Sequence, residues 1–222
     1  MRSCLFIAWI ESITMASSPE NESGVAMSGH FAKLAYTPGV RAMQRHYNGY
    51  EASAGGSEIA DLGRRERQFI ADRNSFYLAT ISQTGWPHVQ HRGGATGFLK
   101  VLDATTLAFA DYGGNRQFVS VGNLQDNPRA ALILMDYPNR RRLKILGSVD
   151  VLAAASADPQ MLAAVSSPGE PAAERVMVIH VAAFDWNCSQ HITPRYTESE
   201  LAESGLTLTE SHPSQGAQHE TV

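Results

Sequence analysis

Cysteine is scarce. Cys4 and Cys188 are the only two in 222 residues, far apart in the chain. A disulfide framework and a short-spaced Cys/His zinc site are thereby excluded, and the reducing cytoplasm is the default compartment. Long apolar runs are also missing, and no stretch reaches the roughly 18 residues that a membrane span needs. Neither His-Glu-x-x-His nor Gly-x-Ser-x-Gly occurs, which removes the commonest metallohydrolase and serine-hydrolase signatures. No strand-like run leads into Gly-x-Gly-x-x-Gly or Gly-x-x-x-x-Gly-Lys, so a dinucleotide-binding or P-loop fold is disfavoured. A strong excess of one charge is lacking as well. Lys+Arg total 18 and Asp+Glu 22, for a net charge of −4, which argues against nucleic acid or an anionic membrane surface as the main partner.

What remains is a chain with 43% apolar residues, enough for one ordinary core. Arg2 and the run from Cys4 to Ile10 imitate the start of a secretory signal, but Glu11 interrupts the run and no small-x-small cleavage site follows. Met15 or Met27 is the more natural start. Composition assigns residues 1–30 to a disordered or over-extended N-terminus. Residues 31–197 form one domain with an N-terminal arm, and residues 198–222 a flexible polar tail.

The arm carries Phe31, Tyr36, Tyr47 and Tyr50, with a short helix expected around Val40–His46. Ile59, Leu62, Glu66, Phe69 and Ile70 recur at helical spacing, which predicts an amphipathic helix from Glu58 to Asp72 capped by Ser57. The arginines at 64, 65 and 67 lie off that stripe and read as a solvated face. Then the period changes to two. Strands are expected at Phe76–Ile81, Trp86–Arg92, Phe98–Leu102 and Thr106–Ala110. A helix follows from Arg116 to Leu124, capped by Asn115. Ala130–Met135 is nearly continuous in apolar residues and reads as a strand buried on both sides. Further strands are expected at Leu143–Val151 and Glu174–Val181, with a small helix between them opened by Asp158-Pro159. Short strands at close spacing with a few inserted helices point to a mainly-β barrel.

Three basic patches fall between Phe76 and Gly147. On the second strand His88, Gln90 and Arg92 share a face and His91 points the other way. Gly93 and Gly94 then open the backbone to a flat ligand, or simply form a bulge. Asn115, Arg116 and Gln117 sit where free N–H groups and a helix dipole favour a phosphate, although a plain capped helix would look the same. Arg142 and Lys144 project to one face of a strand, costly to bury without an anion and unremarkable on a solvated edge. Each signal is weak alone; together they indicate one phosphate-bearing ligand. Cys188 with His191 could be read as a thiol site, but a packed cysteine is far commoner.

The order of short motifs resembles the pyridoxamine 5'-phosphate oxidase-like flavoproteins, in the branch described as predicted flavin-nucleotide-binding proteins. The resemblance is carried by Ser75–Thr80, Gly85-Trp86-Pro87, His91–Gly94, Gly97–Val101, Phe109–Gln117, Gly122-Asn123, Asn127-Pro128-Arg129 and Arg142–Gly147. It implies a mainly β fold, a split β-barrel of six to seven antiparallel strands with peripheral short helices. It also implies a homodimer with FMN at the subunit interface. By position, Arg92, Gly93, Gly94, Ala95 and Thr96 match the strand end that lines the flavin ring and phosphate. Arg116 and Gln117 match the phosphate-holding basic pair, with Gln where Lys is usual. Arg142 stands where a flavin-contacting Gln is usual, and Lys144 neighbours it. His91, Arg92 and Lys144 are candidates to sit near the ring and raise its potential. The closing segment of the true pyridoxamine phosphate oxidases is not recognisable in Trp186–Arg195, so the vitamin B6 reaction is not inherited. The resulting expectation is an FMN-binding oxidoreductase acting on a small molecule. A flavin-storage protein and an F420-dependent reductase are the alternatives.

Overall fold

The computed structural model describes residues 28–52, 61–186 and 190–204. The expected Ser57 cap, Cys188 and the signal-like leader lie outside them. Seven strands form one antiparallel sheet: β1 (Ser75–Ile81), β2 (Pro87–Gly93), β3 (Lys100–Val101), β4 (Thr106–Asp111), β5 (Arg129–Asp136), β6 (Arg141–Ala153) and β7 (Arg175–Trp186). Their order in the sheet is β2-β1-β5-β6-β7-β4-β3. The helices are α1 (Gly29–Ala35), α2 (Pro38–Asn48), α3 (Arg64–Ala71), α4 (Val119–Asp126), α5 (Pro159–Val165) and α6 (Glu198–Ser204). Among the described residues no helix is long and apolar enough to cross a membrane.

The sheet curls because alternate residues on one face are large and apolar. Phe76 and Leu78 on β1, Leu132 and Leu134 on β5, and Leu143 and Ile145 on β6 all fall in one buried cluster. The period-two pattern aims them inward. A register shift at Leu146/Gly147 bends the long β6–β7 pair at mid-length. Curling brings β1 and β4 together although they are far apart in strand order. Phe76 and Phe109 meet edge-on at 5.3 Å, and Phe98 stacks on Phe76 at 5.5 Å. Side chains close that seam, so the barrel is split.

The helices seal what the sheet leaves open. Asn123 of α4 donates to Thr80 Oγ1 (3.0 Å) and Ser120 to Gln90 Oε1 (2.9 Å), which plugs one end. Val165 of α5 joins Ala108, Ala110, Val176 and Val178 in a second cluster on the outer face of β4 and β7. Asp158 caps α5 as its sequence predicts, accepting from the N–H groups of Gln160 and Met161. The Leu62, Glu66, Phe69, Ile70 stripe is buried as expected, with Trp186 Nε1 donating to Glu66 (2.8 Å).

Several expectations are corrected. In the described part of the predicted Glu58–Asp72 helix, residues 61–63 are not helical and α3 starts at Arg64. The Leu62 N–H is bonded to the Ala104 carbonyl (2.7 Å), and Glu66 reaches back to the Gly63 N–H. Ser28, Gly29 and His30 are not a disordered leader. They start α1, where the Ser28 hydroxyl donates to the Phe184 carbonyl and its N–H to Asp185. β5 is not buried on both sides: its residues alternate between buried and half-buried, because one sheet face has little over it. The Phe98–Leu102 strand shrinks to Lys100–Val101 because Phe98 and Leu99 turn into the core. Glu198–Ser204, expected to be loose, form α6.

Candidate functional site

Arg92 is the last side chain of β2 on the inward face, on the opposite side from His91 as the alternation predicts. Its Nη1 donates to Asp111 Oδ1 at 2.7 Å across the barrel seam. Asp111, only 4% exposed, also accepts from Arg175 Nε at 2.7 Å. Arg175 continues to Glu174 Oε2 (2.9 Å), and Arg116 reaches Glu174 Oε1 (3.2 Å). Phe118 lies beneath both Arg175 and Arg116, at 5.1 and 5.5 Å from its ring centre. Three guanidiniums thus share two carboxylates at one barrel end, leaving one positive charge uncompensated. Arg92 Nε is buried without a hydrogen-bond partner among the described residues. Burial of the Arg175 guanidinium is outweighed by its carboxylate partners, Asp111 above all, which hold it firmly protonated.

Arg116 does not begin a helix. Arg116 and Phe118 both take left-handed backbone conformations (φ 58° and 51°), and α4 starts only at Val119. Asn115 Oδ1 accepts from the Gln117 N–H (3.2 Å), a local turn in place of the expected cap. The helix-dipole argument for a phosphate at Arg116 therefore falls. What replaces it is a turn held in a sparsely populated conformation, a kind of strain that clusters at binding sites. Gly113 belongs to the same device, since a side chain there would strike the Glu174 carboxylate at 2.7 Å.

The remaining candidates lie on the other side of the sheet. His91 faces outward and meets Tyr77 edge-on at 5.6 Å. Arg142 and Lys144 share the outward face of β6, as predicted. Arg142 Nε is buried without a partner among the described residues. Lys144 lies 5.2 Å from the Phe31 ring and opposite Asp185 in the register. Burial lowers the pKa of the Lys144 ammonium, with Arg142 adding to the effect and Asp185 opposing it. Burial likewise raises the Asp185 carboxyl, against the opposing pull of Ser28 and Lys144. Lys144 borders an apolar groove of about 180 Å³ with Phe31, Tyr77, Val89 and Ile133 on its walls.

The stretch from Gly93 to Thr96 is a tight connection. Gly94 has no room for a side chain, because a Cβ would sit 2.9 Å from the Phe98 ring. Its glycine therefore serves packing. Gly93 pairs with Ser75, Ala95 accepts from the Phe98 N–H, and Thr96 is exposed. Trp186 packs at 4.7 Å on Phe69 at the edge of the core. Arg195 lies 5.1 Å from the Tyr137 ring, close to the outward cluster. Asp111, Glu174 and Arg175 were not among the sequence candidates. The usable signal was phase: Asp111 continues the inward series Leu107, Phe109, and Arg175 precedes the inward series Met177, Ile179.

The sequence matches the pyridoxamine 5'-phosphate oxidase family over residues 62–188, more than half of the chain. The chain belongs to that family. Similar solved structures include HupZ from Group A Streptococcus, at 13% identity over 60% of this chain and 99% of that one, with a TM-score of 0.45. An F420 reductase is 23% identical over 55% of this chain and 94% of its own, with a TM-score of 0.37. An FMN-binding protein from Syntrophomonas wolfei is 16% identical over 54% of this chain and 82% of its own, with a TM-score of 0.37. Among curated proteins no sequence match was found. As a member of this family the chain is a mainly-β split barrel, and both cationic clusters lie within the matched region.

Proposed function

We propose that this protein is an FMN-binding oxidoreductase acting on a small molecule, as a homodimer with the flavin at the subunit interface. The observation that carries the reading is the Arg92–Asp111–Arg175–Glu174–Arg116 cluster, with its surplus charge, its unpartnered Arg92 Nε and its two-thirds exposed Arg116. This donor set fits a phosphate monoester, which takes charge-assisted bonds from guanidiniums. Asp111 and Glu174 keep the arginines spaced and oriented before an anion arrives. Arg116 is the member free to turn toward a phosphate, because its ion pair is exposed and weak.

Bound FMN would supply the redox chemistry, while the protein provides clamps, ring contacts and shelter from water. His91 and Lys144 are the basic groups on the outer face that would lie beside the ring. Lys144 is already partly desolvated, so its charge would act strongly on an electron-rich neighbour. The groove beside it, about 180 Å³, is smaller than the roughly 300 Å³ at which ligand pockets begin. A second chain over this face would complete the enclosure, which is what supports a shared site. The proposed setting is the cytoplasm.

The test is to identify the ligand that co-purifies by mass spectrometry and to titrate the stripped protein with FMN, FAD and F420. Tightest binding of FMN, followed by anaerobic bleaching with NADH or NADPH, is the expected result. Preference for F420 would replace the cofactor. Tight FMN binding without turnover of any donor or acceptor would make the protein a carrier.

A further inference from the structure

Exposed apolar side chains are not scattered evenly over this molecule. Of the twelve large ones among the described residues, five (Leu34, Val40, Met43, Tyr47, Tyr50) lie in the α1–α2 arm and three (Ile81, Trp86, Val89) on the β1–β2 hairpin. The arm is anchored at its base, where Ser28 bonds to β7 and Phe31 and Ala32 are buried. Beyond that base, α2 buries no residue at all.

Yet α2 is fully built. Thr37 accepts from the Val40 N–H, Pro38 opens the helix, and Gly49 closes it in a left-handed conformation. Its polar side is already satisfied from within the arm. Arg41 and Arg45 both bond to Glu51, and Gln44 accepts from the Ala52 N–H. Val40, Met43 and Tyr47, spaced i, i+3 and i+7, form a stripe on the other side that nothing outside α2 covers among the described residues. A helix of eleven residues is marginal on its own. One with a finished polar face and a bare apolar face is shaped for a surface outside its own chain.

The hairpin offers such a surface. Trp86 is 76% exposed and Val89 62%, and the outward residues Pro87, Val89 and His91 include no carboxylate, Lys or Arg. Neither patch would bury an unpaired charge, a condition met at interface centres. On the scale of 150–250 Å² per aromatic side chain, the two patches together expose on the order of 1,000 Å². A standard interface takes about 800 Å² from each partner. One patch alone falls short of that, and the two used reciprocally meet it.

We infer that the occupant is a second copy of this chain. Each α2 lays its Val40–Met43–Tyr47 stripe over the β1–β2 hairpin of its partner, so that two arms are exchanged about a twofold axis. The inference rests on the homodimer of the proposed function and specifies how it is held. It also brings the arm of one chain beside the outward His91 of the other.

The test uses two full-length variants, Met43→Lys/Tyr47→Lys in the arm and Trp86→Glu/Val89→Glu in the hairpin, with mass measured by sedimentation equilibrium. Both should keep the parent's circular dichroism, since the substituted side chains are exposed within the chain. Each alone should raise the dimer dissociation constant at least ~30-fold, as loss of interface anchors does. Mixed in equal amounts they should form a heterodimer, because one arm–hairpin contact is then unaltered and the other pairs Lys with Glu. A parent that is monomeric at micromolar concentration overturns the homodimer reading and this one with it. A dimeric parent with an equally dimeric arm variant overturns the arm exchange and leaves the homodimer standing. Two monomeric variants that fail to restore each other would show like packing on like, arm on arm and hairpin on hairpin, which also overturns it.

Discussion

Replacing Asp111 with Ala is the sharpest probe of the barrel-end cluster. The Asp111 carboxylate is 4% exposed and takes two hydrogen bonds of 2.7 Å, from Arg92 and Arg175. Removing it strands two guanidiniums whose side chains are only 16% and 17% exposed. Breaking a fully buried ion pair by deleting one partner costs about 3–5 kcal/mol. Here the remaining exposure and the second bond of Arg175 to Glu174 soften the loss, so about 2–4 kcal/mol is expected. Asp111→Asn keeps the shape and one acceptor and should cost about half as much. Urea unfolding reads both values, with an unchanged slope showing that the unfolded state is not the cause. A second effect is specific to an anion site. With Asp111 gone, the three arginines face a single carboxylate, so inorganic phosphate should stabilise the variant more than the parent. A loss below about 1 kcal/mol would refute the ion-pair reasoning, and equal phosphate effects on both proteins would refute the anion site.

Arg116→Ala should weaken FMN binding by about 1.5–3 kcal/mol in a fluorescence titration, while stability moves by less than about 0.5 kcal/mol because the Glu174 pair is exposed. Asp136 governs acid stability. Burial pushes its carboxyl up, but bonds from Arg141 and Asn139 and the charge of Arg73 outweigh that and hold its pKa below the usual range. Its stabilisation is therefore complete above the unfolded value of about 3.9 and is lost as pH falls through the folded value. The deficit of Asp136→Asn in urea unfolding should accordingly be large at neutral pH and shrink in acid. For Lys144 and Asp185, burial disfavours the charged form of both at neutral pH. The double variant Lys144→Met/Asp185→Asn should then unfold at the same or higher urea concentration while losing FMN affinity. Gly94→Ala should cost about 1–3 kcal/mol by overpacking against Phe98, with FMN affinity preserved in the fraction that folds.

Alternation was the most legible feature of the sequence. It put Gln90 and Arg92 on one face and His91 on the other, and it put Arg142 and Lys144 on one face, because a strand in register has only two directions for a side chain. Asp158-Pro159 was equally readable, since an acceptor before a residue with fixed φ has one good use at a helix start. Asn115 shows the limit. An Asn whose side chain takes a backbone N–H two residues on has the same local signature as an N-cap, and only the left-handed backbone at Arg116 and Phe118 separates the two. The one-sided burial of β5 is not legible, because an apolar run does not record whether anything covers its second face. Asp111 and Arg175 carry no local signal, because they are 64 residues apart in sequence and become neighbours only through the β4–β7 pairing.

The period of two also determines how the candidate residues divide. His91 and Arg92 are neighbours on β2, so one meets Tyr77 outside the barrel while the other bonds to Asp111 within it. A ligand touching both must pass around the end of the strand, where Gly93 leaves the backbone bare of a side chain. The inward set, Arg92 with Arg175 and Arg116, is complete within one chain and is already neutralised almost to balance by Asp111 and Glu174. The outward set, His91, Arg142 and Lys144, has a groove too small to enclose a nucleotide and a sheet face that no described element of the same chain fully covers. On the proposed function, anion recognition would therefore belong to the single chain and enclosure to the pair. Substitutions at the barrel end should change ligand affinity without changing dimerisation, whereas those on the outer face should change the two together.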